Sequence, residues 1–488
     1  MIRLVRGLVA VAAVAALLAA CSPRGSSGGQ GTDSGTPFGS GTPSASVPTS
    51  APSPPSSGAG PRAASAGWLT YHGDPGRSGY AEAPAAVHSL AVGRRTRLDG
   101  SVYAQPLVAP HGGGDVTIVA TEANSVYALR DGTVVWRAQL GPPVPLAALP
   151  CGNVDPLGIT GTPVVDPASS TVYVVAELDG PVRHELVAID TATGALRWRR
   201  GIDPPRAQPR FEQERAALAL SGGRVWVALG GLYGDCGPYH GKVVGVATNG
   251  TGDLDVYQVP SGREAGIWAP SGPAVNAVGH LFVAVGNGEA TSGAWDGSDS
   301  ILELDGGRVV SSFAPAGWQG ENAQDADLGS MGPLLLPRGL LVAAGKAGDV
   351  YVLRQGQLGG IGHPLARWSG CAAYGGPAAD VRGQASGSVT VVLPCVNGIS
   401  ALRVNLATGQ IRQLWQAPPS VAGSPVIAGD TVLAVDRSGG RLVALDLNSG
   451  QQRAAVGVGS VSRFATPLLA GNTAVVGTMD GVVTVTLG

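Results

Sequence analysis

Short apolar runs separated by glycine, aspartate and serine turns recur along the chain from about residue 68. Valine, leucine and alanine dominate the runs at 171–176, 281–285 and 431–435. A further run at 185–190 leads through a tight Thr-Gly turn into another strand. Short strands bounded in this way predict four-stranded antiparallel meanders.

Most of these units open with a small or polar residue followed by proline. Proline lacks an N–H group, so a strand tolerates it best at its first residue or on an edge. The openings lie at Pro106, Pro163, Pro273, Pro333, Pro377, Pro425 and Pro467. The long gap after Pro163 holds one more unit without proline, at 216–220 and 224–229. We therefore predict eight units.

The last unit has only three strands before the chain ends, within 467–487. An unassigned strand at 94–98 can supply the fourth. Pairing the two ends would close a ring and remove its exposed edges. The prediction is an all-β fold over residues 67–488, an eight-bladed β-propeller of four-stranded antiparallel blades.

One phrase, Ala-Ile-Asp-Thr-Ala-Thr-Gly-Ala-Leu-Arg-Trp at 188–198, returns in altered copies. The copies lead to Trp136 and to Trp415, and a copy at 444–450 lacks its tryptophan. In this phrase Asp190 can accept N–H groups of its own turn, and Gly194 can adopt a positive φ.

This phrase resembles the PQQ-like repeat of quinoprotein β-propellers, as does the segment at 68–79. The resemblance implies that the phrase tryptophans dock between neighbouring blades. Those tryptophans are Trp136, Trp198, Trp368 and Trp415. The family contains two functional classes, namely dehydrogenases that hold pyrroloquinoline quinone (PQQ) with Ca²⁺, and binding propellers without a cofactor, such as the outer-membrane protein assembly lipoprotein.

For the dehydrogenase class, the resemblance points to Asn287 as a calcium ligand and to Asp325 or Asp327 as a base. Capping of turns and strand ends is the alternative role of these residues. The dehydrogenases carry two adjacent cysteines over the quinone, and this chain has none. We therefore expect no catalytic, cofactor-binding or metal-binding residues. A PQQ- and calcium-dependent alcohol or sugar dehydrogenase remains the alternative.

Residues 1–21 resemble a bacterial lipoprotein signal peptide. Arg3 and Arg6 precede an apolar run that is too short for a comfortable membrane span, and the run ends in a lipobox at Cys21. Residues 22–66 consist mostly of Ser, Gly, Pro, Thr and Ala, which predicts a disordered tether. We expect lipidation at Cys21 and a location on the extracytoplasmic face of the cell membrane.

Four more cysteines lie at 151, 236, 371 and 395. An even number in an exported domain favours disulfides. Cys371 and Cys395 flank one blade opening and its second strand, which favours a local bond and leaves Cys151 to pair with Cys236.

The formal net charge of −2 and the lack of a basic stripe argue against binding to nucleic acid. Long loops at 203–214 and 290–300 are better candidates for recognition, because loops on a rigid scaffold carry function. We expect a contact rim of aromatic residues, with loop packing as the alternative. Its members are Tyr233, Tyr239, Trp268 and Trp295. The predicted protein is a monomer that binds a protein or cell-envelope partner, and Lys346 is assigned to a hairpin turn.

Overall fold

Each predicted apolar run forms one strand of a small antiparallel sheet, and eight such sheets follow one another along the chain. The computed structural model describes residues 67–83, 86–112 and 114–488. The predicted signal peptide at 1–21, with Cys21, and the predicted tether at 22–66 lie outside the described residues.

Blades 1 to 4 each contain four consecutive strands, ordered from the innermost to the outermost. Blade 1 consists of Leu107–Ala109, Val116–Thr121, Ser125–Arg130 and Thr133–Gln139. Blade 2 consists of Val164–Asp166, Thr171–Leu178, Arg183–Asp190 and Leu196–Gly201. Blade 3 consists of Ala219–Ser221, Arg224–Gly231, Lys242–Ala247 and Asp255–Gln258. Blade 4 consists of Ala274–Val275, Leu281–Val285, Ser300–Asp305 and Arg308–Ala314.

Blades 5 to 8 repeat the arrangement. Blade 5 consists of Leu334–Leu336, Leu340–Ala344, Asp349–Arg354 and Ala366–Ser369. Blade 6 consists of Ala378–Asp380, Ser388–Leu393, Ser400–Asn405 and Ile411–Gln416. Blade 7 consists of Val426–Ala428, Thr431–Asp436, Arg441–Asp446 and Gln452–Gly457. Blade 8 consists of Leu468–Ala470, Thr473–Thr478, Gly481–Leu487 and Leu90–Arg97.

Three short strands add to blades 7, 3 and 4, respectively Tyr80–Ala81, Glu212–Gln213 and Gly360–Ile361. Helical structure is sparse in the described part of the chain. It comprises the α-helix Trp318–Ala323 and the 3₁₀ turns Leu146–Ala148, Pro209–Phe211, Leu328–Ser330, Pro337–Gly339 and Arg382–Ser386. Within the same residues, no helix has the length and apolar character needed to cross a membrane.

The ring closes through blade 8, as predicted. Its fourth strand, Leu90–Arg97, comes from the other end of the described chain and pairs with Gly481–Leu487. The strand begins four residues earlier than the predicted 94–98, and its register joins Leu90 to Leu487 and Arg97 to Gly481. The fold is therefore an eight-bladed β-propeller, and each predicted opening precedes the innermost strand of its blade.

A leading segment, residues 68–79, runs past the inner strands of the blades and is bonded to them by its backbone. Its carbonyl groups accept hydrogen bonds from the inner strands of six blades, at distances of 2.7 to 3.0 Å. The pairs are Val108 to Trp68, Val165 to Leu69, Val275 to Pro75, Leu335 to Gly76, Ala379 to Ser78 and Ile427 to Gly79, with the N–H donor named first. The segment therefore links blades 1, 2, 4, 5, 6 and 7.

Arg77 of the leading segment reaches blade 3, and it is fully buried. Its guanidinium donates to the carbonyl of Leu218 at 3.0 Å and to the carbonyl of Pro273 at 2.8 Å. Burial lowers the pKa of Arg77 to about 10, so the side chain stays cationic at neutral pH. A buried cation has to be satisfied by oxygen acceptors, and these carbonyls provide them.

The phrase tryptophans dock between blades, as the resemblance implied. The indole N–H of Trp136 in blade 1 donates to the carbonyl of Thr191 in blade 2 at 2.9 Å. Trp415 in blade 6 donates in the same way to Leu447 in blade 7 at 2.8 Å. Trp198 packs into the cluster shared by blades 2 and 3, and Trp368 packs at the edge of the cluster shared by blades 5 and 6.

In two copies of the phrase, the glycine lies against the tryptophan of the preceding blade. A Cβ atom on Gly194 would lie 2.7 Å from the ring of Trp136, and one on Gly450 would lie 2.6 Å from the ring of Trp415. Both glycines also have a positive φ, of 72° and 71°. Asp190 completes the turn by accepting the N–H groups of residues 192 and 193. The phrase thus encodes a turn and the indole seat, which is the glycine surface on which the neighbouring indole packs.

We predict that Gly194→Ala destabilises the propeller more than Gly222→Ala. Gly222 has a φ of 58° and no atom within 4 Å of its added Cβ. The Gly222→Ala variant therefore measures only the free-energy cost of an alanine at a positive φ. That cost is about 1–2 kcal/mol. Gly194→Ala adds displacement of Trp136, which raises the expected loss to about 3 kcal/mol. Denaturant unfolding of both variants measures the difference, and equal midpoints would contradict the indole seat.

Candidate functional site

A cavity of about 790 Å³ lies at the centre of the ring, and all eight blades contribute to its lining. Its wall is formed by residues that precede the inner strands, such as Arg215 and Trp268, and by residues that follow the second strands, such as Lys346. Because the strands are antiparallel, these two sets meet at the same end of the ring. We call this cavity the funnel. Tyr71 of the leading segment also lines it.

The funnel wall carries an excess of cations. Arg215, Lys346, Arg437 and Arg463 line it, whereas its acidic lining residues are Asp235 and Asp325. Arg437 and Arg463 are exposed. A concave site with this balance favours anionic ligands.

Trp268 lies between two of these cations. The Arg215 guanidinium is 6.0 Å from the centre of the Trp268 ring, and the Lys346 ammonium is 5.6 Å from it. Both distances lie within the limit of about 6 Å at which the face of an aromatic ring attracts a cation. The arrangement places a flat apolar surface beside the Arg215 guanidinium, which suits a planar anion.

Lys346 does not serve only as a turn residue, because its ammonium forms ion pairs with Asp325 and Asp327. The distance to Asp327 Oδ2 is 2.7 Å, and the contact with Asp325 is also an ion pair. Asp327 is fully buried, and burial raises its pKa to about 6 although Lys346 acts against this shift. The paired carboxylates in turn raise the pKa of Lys346 against the effect of its own burial.

The three residues suggested for a dehydrogenase site therefore have different surroundings. Asn287 and Asp325 line the funnel, whereas Asp327 lies behind its surface. Lys346 was the missed member of this group. Its partners are remote in sequence, and only the position of the Gly345-Lys346 turn at the end of a second strand could have indicated that it faces the centre.

Three buried glutamates, Glu122, Glu177 and Glu214, lie behind the funnel wall near Arg215. Glu122 accepts the N–H of Gly158 at 2.8 Å, and burial raises its pKa to about 8. Burial and the neighbouring Glu177 raise the pKa of Glu214 well above its usual range.

His184 provides a positive charge to this cluster. Its Nδ1 lies 2.7 Å from Asp203 Oδ1, and its Nε2 lies 3.7 Å from Glu177 Oε2. Burial lowers the pKa of His184, but the hydrogen bonds to Asp203 and Glu177 outweigh it and raise the pKa well above the usual value. The loop that begins at Asp203 is therefore fixed to blade 2.

Two disulfides fix the loops around the funnel, and both connect the predicted partners. Cys151 is bonded to Cys236, which joins the loop before blade 2 to the insertion after the second strand of blade 3. Asn153 and residues 231–235, which lie next to these cysteines, line the funnel. Cys371 is bonded to Cys395 within blade 6, beside Tyr374.

The predicted aromatic rim is only partly present. Tyr233 and Trp268 line the funnel, and Tyr233 is 64% exposed. Tyr239 is buried, and its hydroxyl donates to Asp235. Trp295 packs against the core of blades 3 and 4 and donates to the carbonyl of Ser298. For these last two residues, loop packing is the correct interpretation.

The fold and the inter-blade tryptophans define the chain as an eight-bladed propeller of the PQQ-like class. Residues 91–353 match the sequence model of a family described as outer membrane protein assembly factor BamB. This match spans more than half of the chain, so the chain belongs to that family. No individual curated protein matches it significantly.

Solved structures of both functional classes share the fold. BamB from Moraxella catarrhalis is 18% identical, with a TM-score of 0.55, and the match covers 82% of this chain and 100% of that one. Quinohemoprotein alcohol dehydrogenase ADHIIG from Pseudomonas putida HK5 is 16% identical, with a TM-score of 0.63, and the match covers 87% and 80%. A europium-containing methanol dehydrogenase is 14% identical, with a TM-score of 0.62, and the match covers 86% and 98%. At these identities the likeness establishes the fold alone.

We predict that Glu122→Gln changes the pH dependence of stability. A raised pKa means that the folded state binds the proton of Glu122 more tightly than the unfolded state does. Its contribution is present below the unfolded pKa of 4.5 and is lost as the pH rises through about 8. The neutral amide can still accept the N–H of Gly158 and does not titrate. The variant should therefore gain about 2 kcal/mol or more over the wild type between pH 5 and pH 8.

Thermal unfolding measured across this pH range tests the prediction. The matched control is Glu289→Gln, since the side chain of Glu289 is half exposed. The difference between this control and the wild type should stay constant with pH. A constant difference for Glu122→Gln as well would show that the buried carboxyl does not hold its proton.

Proposed function

We propose that this protein is a lipid-anchored, extracytoplasmic propeller that binds a protein or cell-envelope component and catalyses no reaction. Its membership of a family described as an assembly factor supports a scaffold role. Within the funnel, the observation that carries the proposal is the position of Lys346, whose ammonium is paired with both Asp325 and Asp327.

This ion pairing bears directly on the dehydrogenase alternative. Calcium binds six to eight oxygen ligands, and carboxylates contribute most of the charge. Lys346 is paired with both carboxylates of the proposed set, Asp325 and Asp327, and an ammonium beside them repels a divalent cation. Among the described residues, no three His, Cys, Asp or Glu side chains converge as a metal site would require. The residues present therefore do not fit the calcium ion.

The organic part of the cofactor fits better, and this observation favours quinone binding as a second candidate. PQQ is a planar anion with three carboxylates, and when bound it accepts the electrons removed from an alcohol. The funnel has a volume of about 790 Å³, within the range of small-molecule sites. Trp268 would lie against the ring, and Arg215 beside it would hold a carboxylate.

Recognition at the mouth of the funnel is the mode of action that we propose. The loops there extend from a rigid ring and are held by two disulfides. Tyr233 presents an exposed ring, and aromatic residues of this kind are common at the centres of protein interfaces. The protein would act as a monomer.

We predict that a photo-crosslinking residue at position 233 captures a defined partner in cells. The matched control position is Leu196, which is 52% exposed on the outer strand of blade 2, away from the funnel. Position 233 should yield one or a few discrete adducts and position 196 none. Identical adducts at both positions, or none at either, would contradict binding at the mouth.

Titration with PQQ and Ca²⁺ separates the second candidate from the first. Stoichiometric uptake of PQQ with quenching of tryptophan fluorescence, together with dye-linked alcohol oxidation, would overturn the non-catalytic role. Uptake that is lost in Trp268→Ala but is accompanied by no oxidation would support a quinone-binding protein without dehydrogenase activity.

The membrane anchor is a further part of the proposal. It is supported by the Leu-Ala-Ala-Cys sequence that ends the apolar run at Cys21. A lipid-modified cysteine anchors stably because each buried methylene contributes about 0.8 kcal/mol. About 45 tether residues would span roughly 35–40 Å and hold the propeller away from the bilayer.

We predict that Cys21→Ser moves the protein from the membrane fraction to the soluble fraction, because the serine hydroxyl cannot form the thioether. Ser22→Ala serves as the control, since it changes the adjacent residue and keeps the thiol. Fractionation followed by immunoblotting makes the measurement. A Cys21→Ser variant that still sediments with membranes would exclude lipidation as the anchor.

A further inference from the structure

A second cavity, of about 590 Å³, opens beside the funnel between blades 6, 7 and 8. Tyr374, Arg437 and Arg463 line both cavities. The two cavities therefore form one continuous groove that extends from the loops of blade 6 into the funnel. We call the second cavity the arginine pocket.

The arginine pocket is positively charged because its two arginines are not balanced by any acidic lining residue. The adjacent Asp436 does not neutralise Arg437, since it is 1% exposed and its carboxylate is bound to Arg441 at 2.7 Å. Within the described residues, neither Arg437 nor Arg463 forms an ion pair. A carboxylate entering the pocket would meet two free guanidinium groups.

The pocket is rigid on the side that carries Tyr374. The Arg463 guanidinium lies 4.1 Å from the centre of the Tyr374 ring, which holds the cation in place. The Tyr374 loop is joined to the Val396 loop by the Cys371–Cys395 disulfide and by the bond from the N–H of Val396 to the carbonyl of Ala372, at 2.8 Å. Preorganised groups of this kind lose little entropy when a ligand binds.

Ser462 adds an unsatisfied hydroxyl next to Arg463. It lines the funnel, it is 6% exposed, and its Oγ has no hydrogen-bond partner among the described residues. Buried hydroxyls are normally bonded, so this unpaired hydroxyl marks a polar position behind the wall beside Arg463.

Apolar residues also line the arginine pocket, next to its two arginines and to Ser420 and Ser438. Pro394 and Pro419 line it, together with Val396, which is 45% exposed. A ligand that fits both features carries carboxylates next to apolar groups. The continuity of the groove favours an extended ligand over a compact one.

We propose that the arginine pocket binds an extended acidic segment of a protein partner. Carboxylates of the segment pair with Arg437 and Arg463, and its apolar side chains contact Val396 and Pro419. This inference rests on the proposed function as a protein-binding propeller. It specifies that the partner contributes an acidic segment and that the arginine pocket binds this segment.

The test measures binding of a fluorescent octapeptide of alternating glutamate and leucine to the full-length protein in detergent, by fluorescence anisotropy. The same peptide with glutamine in place of glutamate is the control ligand. The acidic peptide should bind at least about tenfold more tightly than the glutamine peptide, since charge-assisted bonds to arginine are the strong ones. Its affinity should also fall as salt is added.

The protein variants are Arg437→Gln, the double variant Arg437→Gln/Arg463→Gln, and Arg412→Gln as a matched control. Arg412 is exposed on the outer strand of blade 6 and lines neither cavity. The double variant should weaken binding about tenfold or more, and Arg412→Gln should leave it unchanged. Arg437→Gln alone keeps the packing of Arg463 on Tyr374, so it remains informative if the double variant unfolds.

Equal binding of the two peptides, or equal loss in the Arg412→Gln control, would overturn the proposal. Competition by free glutamate at the concentration of the peptide would also overturn it. The pocket would then bind a single carboxylate compound as well as it binds an extended segment. If crosslinking at position 233 captures a partner equally well in the double variant, this inference fails and the proposed function stands. If no partner is captured while the peptide binds as expected, the proposed function fails separately.

Discussion

The hydrogen bonds between the leading segment and the inner strands of six blades are the constraint on which the rest of the structure depends. In an antiparallel blade the innermost strand is an edge, and its N–H groups would be left unpaired at the centre of the ring. The carbonyl groups of residues 68–79 satisfy one such donor in each of six blades. Arg77 extends the same linkage to blade 3 through the carbonyl of Leu218. The blades are therefore held in register at the axis as well as by their side-by-side packing.

The phrase that identifies the fold acts at the opposite edge of the blades that carry it. In the copy at 188–198, Trp198 lies against Gly250 of the next blade and Gly194 lies against Trp136 of the blade before, so this copy contributes to two interfaces. Loss of the tryptophan in the copy at 444–450 removes the forward contact of blade 7 only, since Gly450 still seats Trp415. The blade interfaces thus tolerate the divergence of single copies.

Sequence reasoning predicts the elements of this fold well because their signals are local. Proline before Val164, the apolar run at 281–285 and the Asp190 turn each depend on neighbours within a few residues. The site is less predictable. Arg215, Lys346 and Trp268 are brought together only by closure of the ring, and Asp327 is buried by residues that are remote in sequence. Aromatic content in the loops did not separate Tyr233, which faces the funnel, from Tyr239, which is buried. Both tyrosines lie in the insertion after the second strand of blade 3, so position along the chain did not separate them either.

The way in which blade 8 is completed has a consequence for biogenesis. Leu90 leaves the ribosome almost 400 residues before its strand partner Leu487. No shorter nascent chain can close the ring, so each incomplete chain keeps an open edge strand and a central segment without its final neighbours. Pairing across nearly 400 residues is also slow to form, because the entropy of loop closure precedes the contacts that offset it. Ring closure is therefore the last step of folding, and it depends on delivery of the strand Gly481–Leu487.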